Sequence, residues 1–78
     1  MKAEPNVTLD CLSLYCPEPV FKTRMQLDDM EVGQTLEVIA DDPAAEQDIR
    51  TLVKNLGQEL IDVSKQGTTV RILIRKVK

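Results

Sequence analysis

The hydrophobic positions of this 78-residue chain switch repeatedly between a two-residue and a 3.6-residue period. A two-residue period is typical of half-buried strands, and a 3.6-residue period is typical of helices that cover one face of a sheet. The switches predict strands at 6–10, 35–40, 59–64 and 69–77, and helices at 17–30 and 43–56. The predicted order of elements is therefore βαβαββ.

Both predicted helices carry a single apolar stripe, which suits a helix that covers a sheet. In the first helix the stripe consists of Val20, Thr23, Leu27 and Met30. In the second helix it consists of Ala45, Ile49, Leu52, Val53 and Leu56. The second helix also has clear end signals, because Asp42 is a suitable N-cap residue before Pro43, and Gly57 follows the last apolar position.

These elements fold most simply as one domain over residues 1–78. Two βα units need right-handed crossovers and favour neighbouring parallel strands, while a short turn around Gly67 makes the last two strands an antiparallel hairpin. We therefore predict a two-layer α/β sandwich, in which a four-stranded mixed sheet carries both helices on one face. Arg71 and Arg75 are expected on the other, solvated face. In the third strand the residues expected to be buried are Leu60, Ile61 and Val63.

Composition excludes several classes of function. The chain has no His and two Cys. It therefore has no Cys-His or Ser-His catalytic pair, no His-ligated metal site and too few thiols for an all-cysteine zinc site, so we expect no metal and no cofactor. No apolar run approaches the roughly 20 residues that span a bilayer. We expect a cytoplasmic protein with reduced thiols and no contact with a membrane.

The net charge of −3 is unevenly distributed along the chain. The acidic residues concentrate in 28–62, whereas 63–78 carries basic residues and no acidic ones. An isoelectric point near 4.8 argues against a dedicated nucleic-acid binder, and direct nucleic-acid binding is not expected. The basic end is expected to form a solvated strand face, and the chain is expected to act as a monomer.

Cys16 stands where the first predicted helix begins, directly before Pro17. Pro19 then falls in the first turn, where its missing N–H breaks no intrahelical hydrogen bond. The free N–H groups of this turn and the positive end of the helix dipole favour a thiolate at the cap by about 0.3–2 kcal/mol, which lowers the pKa of the Cys16 thiol. Glu18 in the same turn opposes ionisation. We expect a moderately activated thiol.

An activated thiolate has few possible reactions in a chain without His. It lacks the general base of a cysteine hydrolase, and Pro19 stands where a C-x-x-C redox motif would have its second Cys. A persulfide on Cys16 would therefore lack the usual resolving thiol and would keep its sulfur until a second protein takes it. Cys11 leaves an alternative open, since it is either a small buried hydrophobe or a redox partner that forms a disulfide with Cys16.

The segment 9–19 reads L-D-x-x-x-x-x-C-P-E-P, and together with the βαβαββ order it resembles the TusA/SirA-like family of small sulfur-carrier proteins. The resemblance covers essentially the whole chain, including A-D-D-P-A at 40–44. It implies a persulfide on Cys16, with Asp10, Pro17, Glu18 and Pro19 as supporting motif residues. It also implies a cysteine desulfurase-like sulfur donor and a TusD/DsrE-like acceptor, in tRNA thiolation or other sulfur metabolism. Such a protein is a relay of the sulfurtransferase type, not a stand-alone enzyme.

The chain departs from the family pattern at Ser13, where the family usually has Gly. Two other functions stay open, namely a regulatory or protein-interaction domain without a reactive Cys, and a small thiol redox protein that uses both cysteines. Asp10 is expected to brace the loop after the first strand through side-chain hydrogen bonds. Phe21 and Met25 are expected to pack at the edge of the core face of the first helix, and a small apolar docking patch is the alternative for them.

Overall fold

The computed structural model describes residues 5–12 and 18–78 of the chain. Six elements follow one another in the predicted βαβαββ order. They are β1 (Val7–Cys11), α1 (Glu18–Asp29), β2 (Thr35–Ala40), α2 (Ala45–Leu56), β3 (Glu59–Gln66) and β4 (Thr69–Arg75). Neither helix is long and apolar enough to cross a membrane, among the residues that the structure describes.

The strands form one mixed sheet in the order β1-β2-β4-β3. The pair β1–β2 is parallel, whereas β2–β4 and β3–β4 are antiparallel. The parallel neighbours predicted for the first βα unit are confirmed. For the second unit this prediction is wrong, because β4 lies between β2 and β3 and the crossover through α2 passes over one strand.

Both helices cover the same face of the sheet and share one core. The core residues of the sheet include Leu36, Val38, Ala40, Ile72 and Ile74, which are fully buried. From the helices they include Leu27, Ile49 and Val53, and Met30 joins them directly after α1. Arg71 lies on the opposite face, where its Nε is 3.0 Å from Oε2 of Glu37, and Arg75 pairs there with Glu59 at 3.8 Å. The predicted two-layer α/β sandwich is confirmed.

The start of α2 differs from the prediction by two residues. The helix begins at Ala45, and Ala44 takes the N-cap position without a side-chain cap. Asp42 still organises this end, because its Oδ1 accepts the backbone N–H of Ala44 at 3.0 Å and its carbonyl accepts that of Ala45 at 3.0 Å. Asp42 and Pro43 therefore form a turn that leads into the helix. At the other end, Gly57 ends the helix as predicted, and it adopts a left-handed conformation with φ +73°.

A bulge in β3 explains why one of its three predicted core residues is exposed. Leu60 pairs with Ile74, but the next pair is Asp62 with Leu73, so Ile61 has no partner of its own in the ladder. The extra residue lets Leu60 and Val63, which are three positions apart, both pack against the core. Ile61 is 38% exposed, so its predicted burial is wrong.

The end of α1 is closed by a lysine from the far end of the chain. Lys76 follows β4, and its backbone N–H donates to the carbonyl of Gln34 at 2.9 Å. Its Nζ donates to the carbonyls of Leu27 at 2.6 Å and Met30 at 2.7 Å. The last turn of α1 contains no basic residue, so Lys76 supplies the positive charge that the helix dipole favours there.

Candidate functional site

Three strands meet at one end of the sheet, which we call the thiol end and define by Cys11, Ala40 and Val70. Cys11 ends β1 and pairs with Ala40, the last residue of β2, while Ala40 pairs with Val70 near the start of β4. Leu12 follows β1 and the segment 41–44 follows β2 at this end. The A-D-D-P-A motif therefore lies at the end of the sheet where β1 ends.

The central residue of the predicted site, Cys16, lies outside the described residues, as do Pro17 and Ser13. The position of Cys16 at the helix start therefore stays a prediction. The two motif residues that follow are described: Glu18 is the exposed first residue of α1, and Pro19 is fully buried in its first turn. The carbonyl of Pro19 accepts a hydrogen bond from Oγ1 of the buried Thr23 at 2.7 Å, which links the first two turns of α1.

Asp10 braces the chain where it leaves β1. Its Oδ1 accepts the backbone N–H of Leu12 at 2.9 Å, which is the two-residue spacing of an Asx turn. Asp10 is exposed and faces away from the helices, since alternate residues of β1 point to opposite faces. The contact gives Asp10 a local role in shaping the start of the segment that carries Cys16.

Cys11 is a free thiol with no exposed surface, and it belongs to the core. Burial raises the pKa of Cys11, the positive charge of Lys22 partly opposes this, and the negative charge of Asp10 adds to it. A thiol needs both access and ionisation to react quickly. The described environment of Cys11 provides neither, and it is the environment of a small hydrophobic residue.

A cavity of about 270 Å³ opens at the thiol end, between the start of α2 and the β3–β4 hairpin. Glu46 lines it and forms two ion pairs, at 2.7 Å with Nζ of Lys65 and at 3.0 Å with Nε of Arg50. Hydrogen bonds from Lys65 and Arg50 lower the pKa of Glu46. Within 5–12 and 18–78, no group of Cys, Asp and Glu side chains is arranged to hold a metal ion.

The sequence pattern did not predict that Lys65 lines this cavity. It placed Lys65 in the turn after β3, whereas the structure extends β3 to Gln66 and leaves Gly67 and Thr68 as the two-residue turn. In the longer strand Lys65 alternates with Val63 and points to the helix side, where it reaches Glu46. The alternation Val63–Lys65 was the signal for this orientation.

The outer surface of α1 is more apolar than expected near the thiol end. Phe21 is 58% exposed and Met25 is 69% exposed, so the prediction that they pack at the edge of the core is wrong. Their positions, four residues apart, place them outside the stripe formed by Thr23 and Leu27, which is the buried one.

Comparisons with known proteins agree with this architecture. The family model described as "Sulfurtransferase TusA" matches residues 7–76 of the chain. A relative from Archaeoglobus fulgidus, described as a "putative sulfur carrier protein", is 51% identical over 71 residues, which cover 90% of this chain and 92% of the relative. A crystal structure of a SirA-like protein from Desulfitobacterium hafniense superposes with a TM-score of 0.81 at 22% identity, over 92% of this chain and 99% of the other, and shows the same fold. The match to the family model over nearly the whole chain shows that the protein belongs to the TusA sulfurtransferase family.

Proposed function

We propose that this protein is a sulfur carrier that holds a persulfide on Cys16. The observation that carries the proposal is the burial of Cys11. The chain has two cysteines, and Cys11 is sealed in the core with its pKa raised. In a family whose members act on sulfur, Cys16 is then the one remaining thiol that can carry the cargo, and it lies within the matched residues 7–76.

The transfer needs only thiolate chemistry. The Cys16 thiolate attacks the terminal sulfur of a persulfide on the donor protein, a new S–S bond forms at Cys16, and the donor cysteine leaves as a thiolate. In the second transfer an acceptor thiolate attacks the terminal sulfur on Cys16, and Cys16 leaves as a thiolate. Each step exchanges one S–S bond for another, so no external oxidant, metal or general base is required.

The partners follow from this chemistry. The donor must present a persulfide, as a cysteine desulfurase does, and the acceptor must present a reactive cysteine, as a TusD/DsrE-like protein does. We place the protein in the cytoplasm, where thiols stay reduced, in a route to thiolated tRNA or another sulfur product. In this role the protein is a relay between two proteins.

The test is the intact mass of the reduced protein after incubation with a cysteine desulfurase and cysteine. We expect a gain of one sulfur atom in the wild type, no gain in Cys16→Ser, and an undiminished gain in Cys11→Ala. Circular dichroism checks that both variants are folded. The Cys11→Ala variant is the matched control, because it removes a thiol of the same chain that the proposal leaves without a role.

Two other results would overturn the proposal, and each would favour a different function. If mild oxidation removes two hydrogens, and either substitution abolishes this loss, the protein is a dithiol redox protein that uses Cys11 and Cys16. If Cys16 takes up no sulfur from any persulfide donor, the chain is a regulatory or interaction domain. The burial of Cys11 favours the carrier over the redox protein, because a disulfide with Cys16 would require Cys11 to leave the core.

A further inference from the structure

An open groove runs beside the outer edge of β1. In the described part of the chain β1 has one strand neighbour, β2, so its other edge carries backbone groups without a strand partner. The groove, of about 400 Å³, lies between Leu9 of β1 and one flank of α1. The α1 residues that line it are Lys22, Met25, Gln26 and Asp29. An uncovered strand edge is a ready template for another strand.

The charges on this flank of α1 are complementary to the charges on the same flank of a second copy. Lys22 and Asp29 lie at equal distances in sequence on either side of the midpoint between Met25 and Gln26. If a second α1 packs antiparallel against this flank, Lys22 of each copy lies opposite Asp29 of the other. Met25, which is 69% exposed in the single chain, then lies opposite Gln26 of the other copy and near its Leu9. This arrangement is an isologous contact, in which both copies use the same surface.

The strand β1, which lies beneath α1, is compatible with the same two-fold symmetry. Two β1 strands that pair antiparallel about Leu9 place Asp10 opposite Thr8 of the other copy, and Val7 opposite Cys11, so no like charges meet. α1 packs on both β1 and β2. Neighbouring strands lie about 4.8 Å apart, so a helix centred over β1 and β2 lies about 5 Å from a two-fold axis that passes between the two β1 strands. The two α1 axes are then about 10 Å apart. That separation is at the upper end of the ordinary helix-packing distance of 8–10 Å.

We propose that the β1 edge and the adjoining flank of α1 form a self-association surface, through which two copies of this chain join their sheets into one eight-stranded sheet. A stable interface usually buries about 800 Å² on each partner. One strand edge and one helix flank are a small part of a molecule with 5020 Å² of accessible surface, so we expect a weak dimer that depends on concentration. Because the β1 strands run antiparallel, the two thiol ends point in opposite directions and both stay open to other proteins.

The test is sedimentation equilibrium of the full chain from about 10 μM to 1 mM, a range that brackets a weak dimer. Charge reversal gives the sharpest variants. We expect Lys22→Glu and Asp29→Lys each to raise the dimer Kd about tenfold, because each converts both symmetric ion pairs into repulsions. The double variant Lys22→Glu/Asp29→Lys restores the pairs with their signs exchanged, and its Kd returns to within about threefold of the wild type. The matched control is Lys54→Glu, which makes the same charge change on the exposed surface of α2.

A second measurement places the strand in the interface. We expect hydrogen exchange within Val7–Cys11 to slow as the protein concentration rises, and the concentration dependence to vanish in Lys22→Glu. A wild type that stays monomeric at 1 mM overturns the proposal and leaves the edge to strands of other proteins. The proposal is also overturned if neither single charge reversal changes the dimer Kd, or if the double variant does not restore the Kd of the wild type.

Discussion

The contact between Lys76 and the end of α1 offers a direct test of how the fold holds the helix that follows Cys16. Replacing Lys76 with Met keeps most of the apolar stem and removes the ammonium group. The carbonyls of Leu27 and Met30 then lose their donor, at present 2.6 and 2.7 Å away. The backbone bond between Lys76 and Gln34 does not depend on the side chain and should remain.

The expected loss follows from two terms that favour the wild type and two that oppose them. Hydrogen bonds from a charged donor contribute about 1.5–3 kcal/mol, and a cation at a helix C-terminus adds about 0.3–1 kcal/mol. Two terms reduce the loss. Ordering the lysine side chain costs up to about 2 kcal/mol of entropy, and after the substitution water can reach the two carbonyls at this half-buried site. We expect a net loss of about 1.5 kcal/mol in the free energy of unfolding. For a domain of this size that lowers Tm by about 6–12 °C.

Urea unfolding followed by circular dichroism measures this loss, with Lys54→Met as the control. Lys54 also stands in the last turn of a helix, α2, but its side chain is exposed, so its replacement should change stability by less than about 0.5 kcal/mol. If Lys76→Met costs no more than Lys54→Met, the two hydrogen bonds do not stabilise the end of α1 and the reasoning is refuted.

Two further predictions concern the β3–β4 hairpin. Because Lys65 and Arg50 lower the pKa of Glu46 in the folded state, the advantage of the wild type over Glu46→Gln should be present at pH 7 and lost as the pH falls below about 4.3, the unfolded value. Urea unfolding at pH 7 and pH 3 checks this, and an advantage that is undiminished at pH 3 would contradict it. Gly67 has φ +63°, so Gly67→Ala should cost roughly 1–2 kcal/mol, whereas Gly67→Asn, which tolerates this conformation, should cost less; equal losses in thermal unfolding would count against backbone strain.

Local patterns were sufficient to predict the elements and their layering. Thr23 and Leu27 of the predicted stripe lie on the buried face of α1, Met30 is buried directly after the helix, and Gly57 ends α2 as expected. Each of these depends on residues within a turn or two of one another, where periodicity and backbone conformation leave few choices. The order β1-β2-β4-β3 was not predictable in this way, because the choice of neighbour for β2 depends on how the finished hairpin packs.

Contacts between distant parts of the chain account for the rest. Lys76 reaches Leu27 across 49 positions, and Lys65 reaches Glu46 from a strand that the sequence pattern ends two residues too early. The bulge at Ile61 reverses the alternation of β3, and no residue type in that segment signals it. At the site, the role of Asp10 was predictable from a two-residue spacing, while the burial of Cys11 depended on the helix that covers β1.

The burial of Pro19 bears on how the persulfide proposed for Cys16 would be delivered. Pro19 is fixed in the core, and the three residues of chain between the two positions span at most about 11 Å when fully extended. Carriers such as lipoamide hold a bound group on a long flexible arm, and a link of three residues is too short to act as such an arm. As a carrier, the protein would therefore travel as a whole from one partner to the next, and each partner would bind the same small region of its surface in turn.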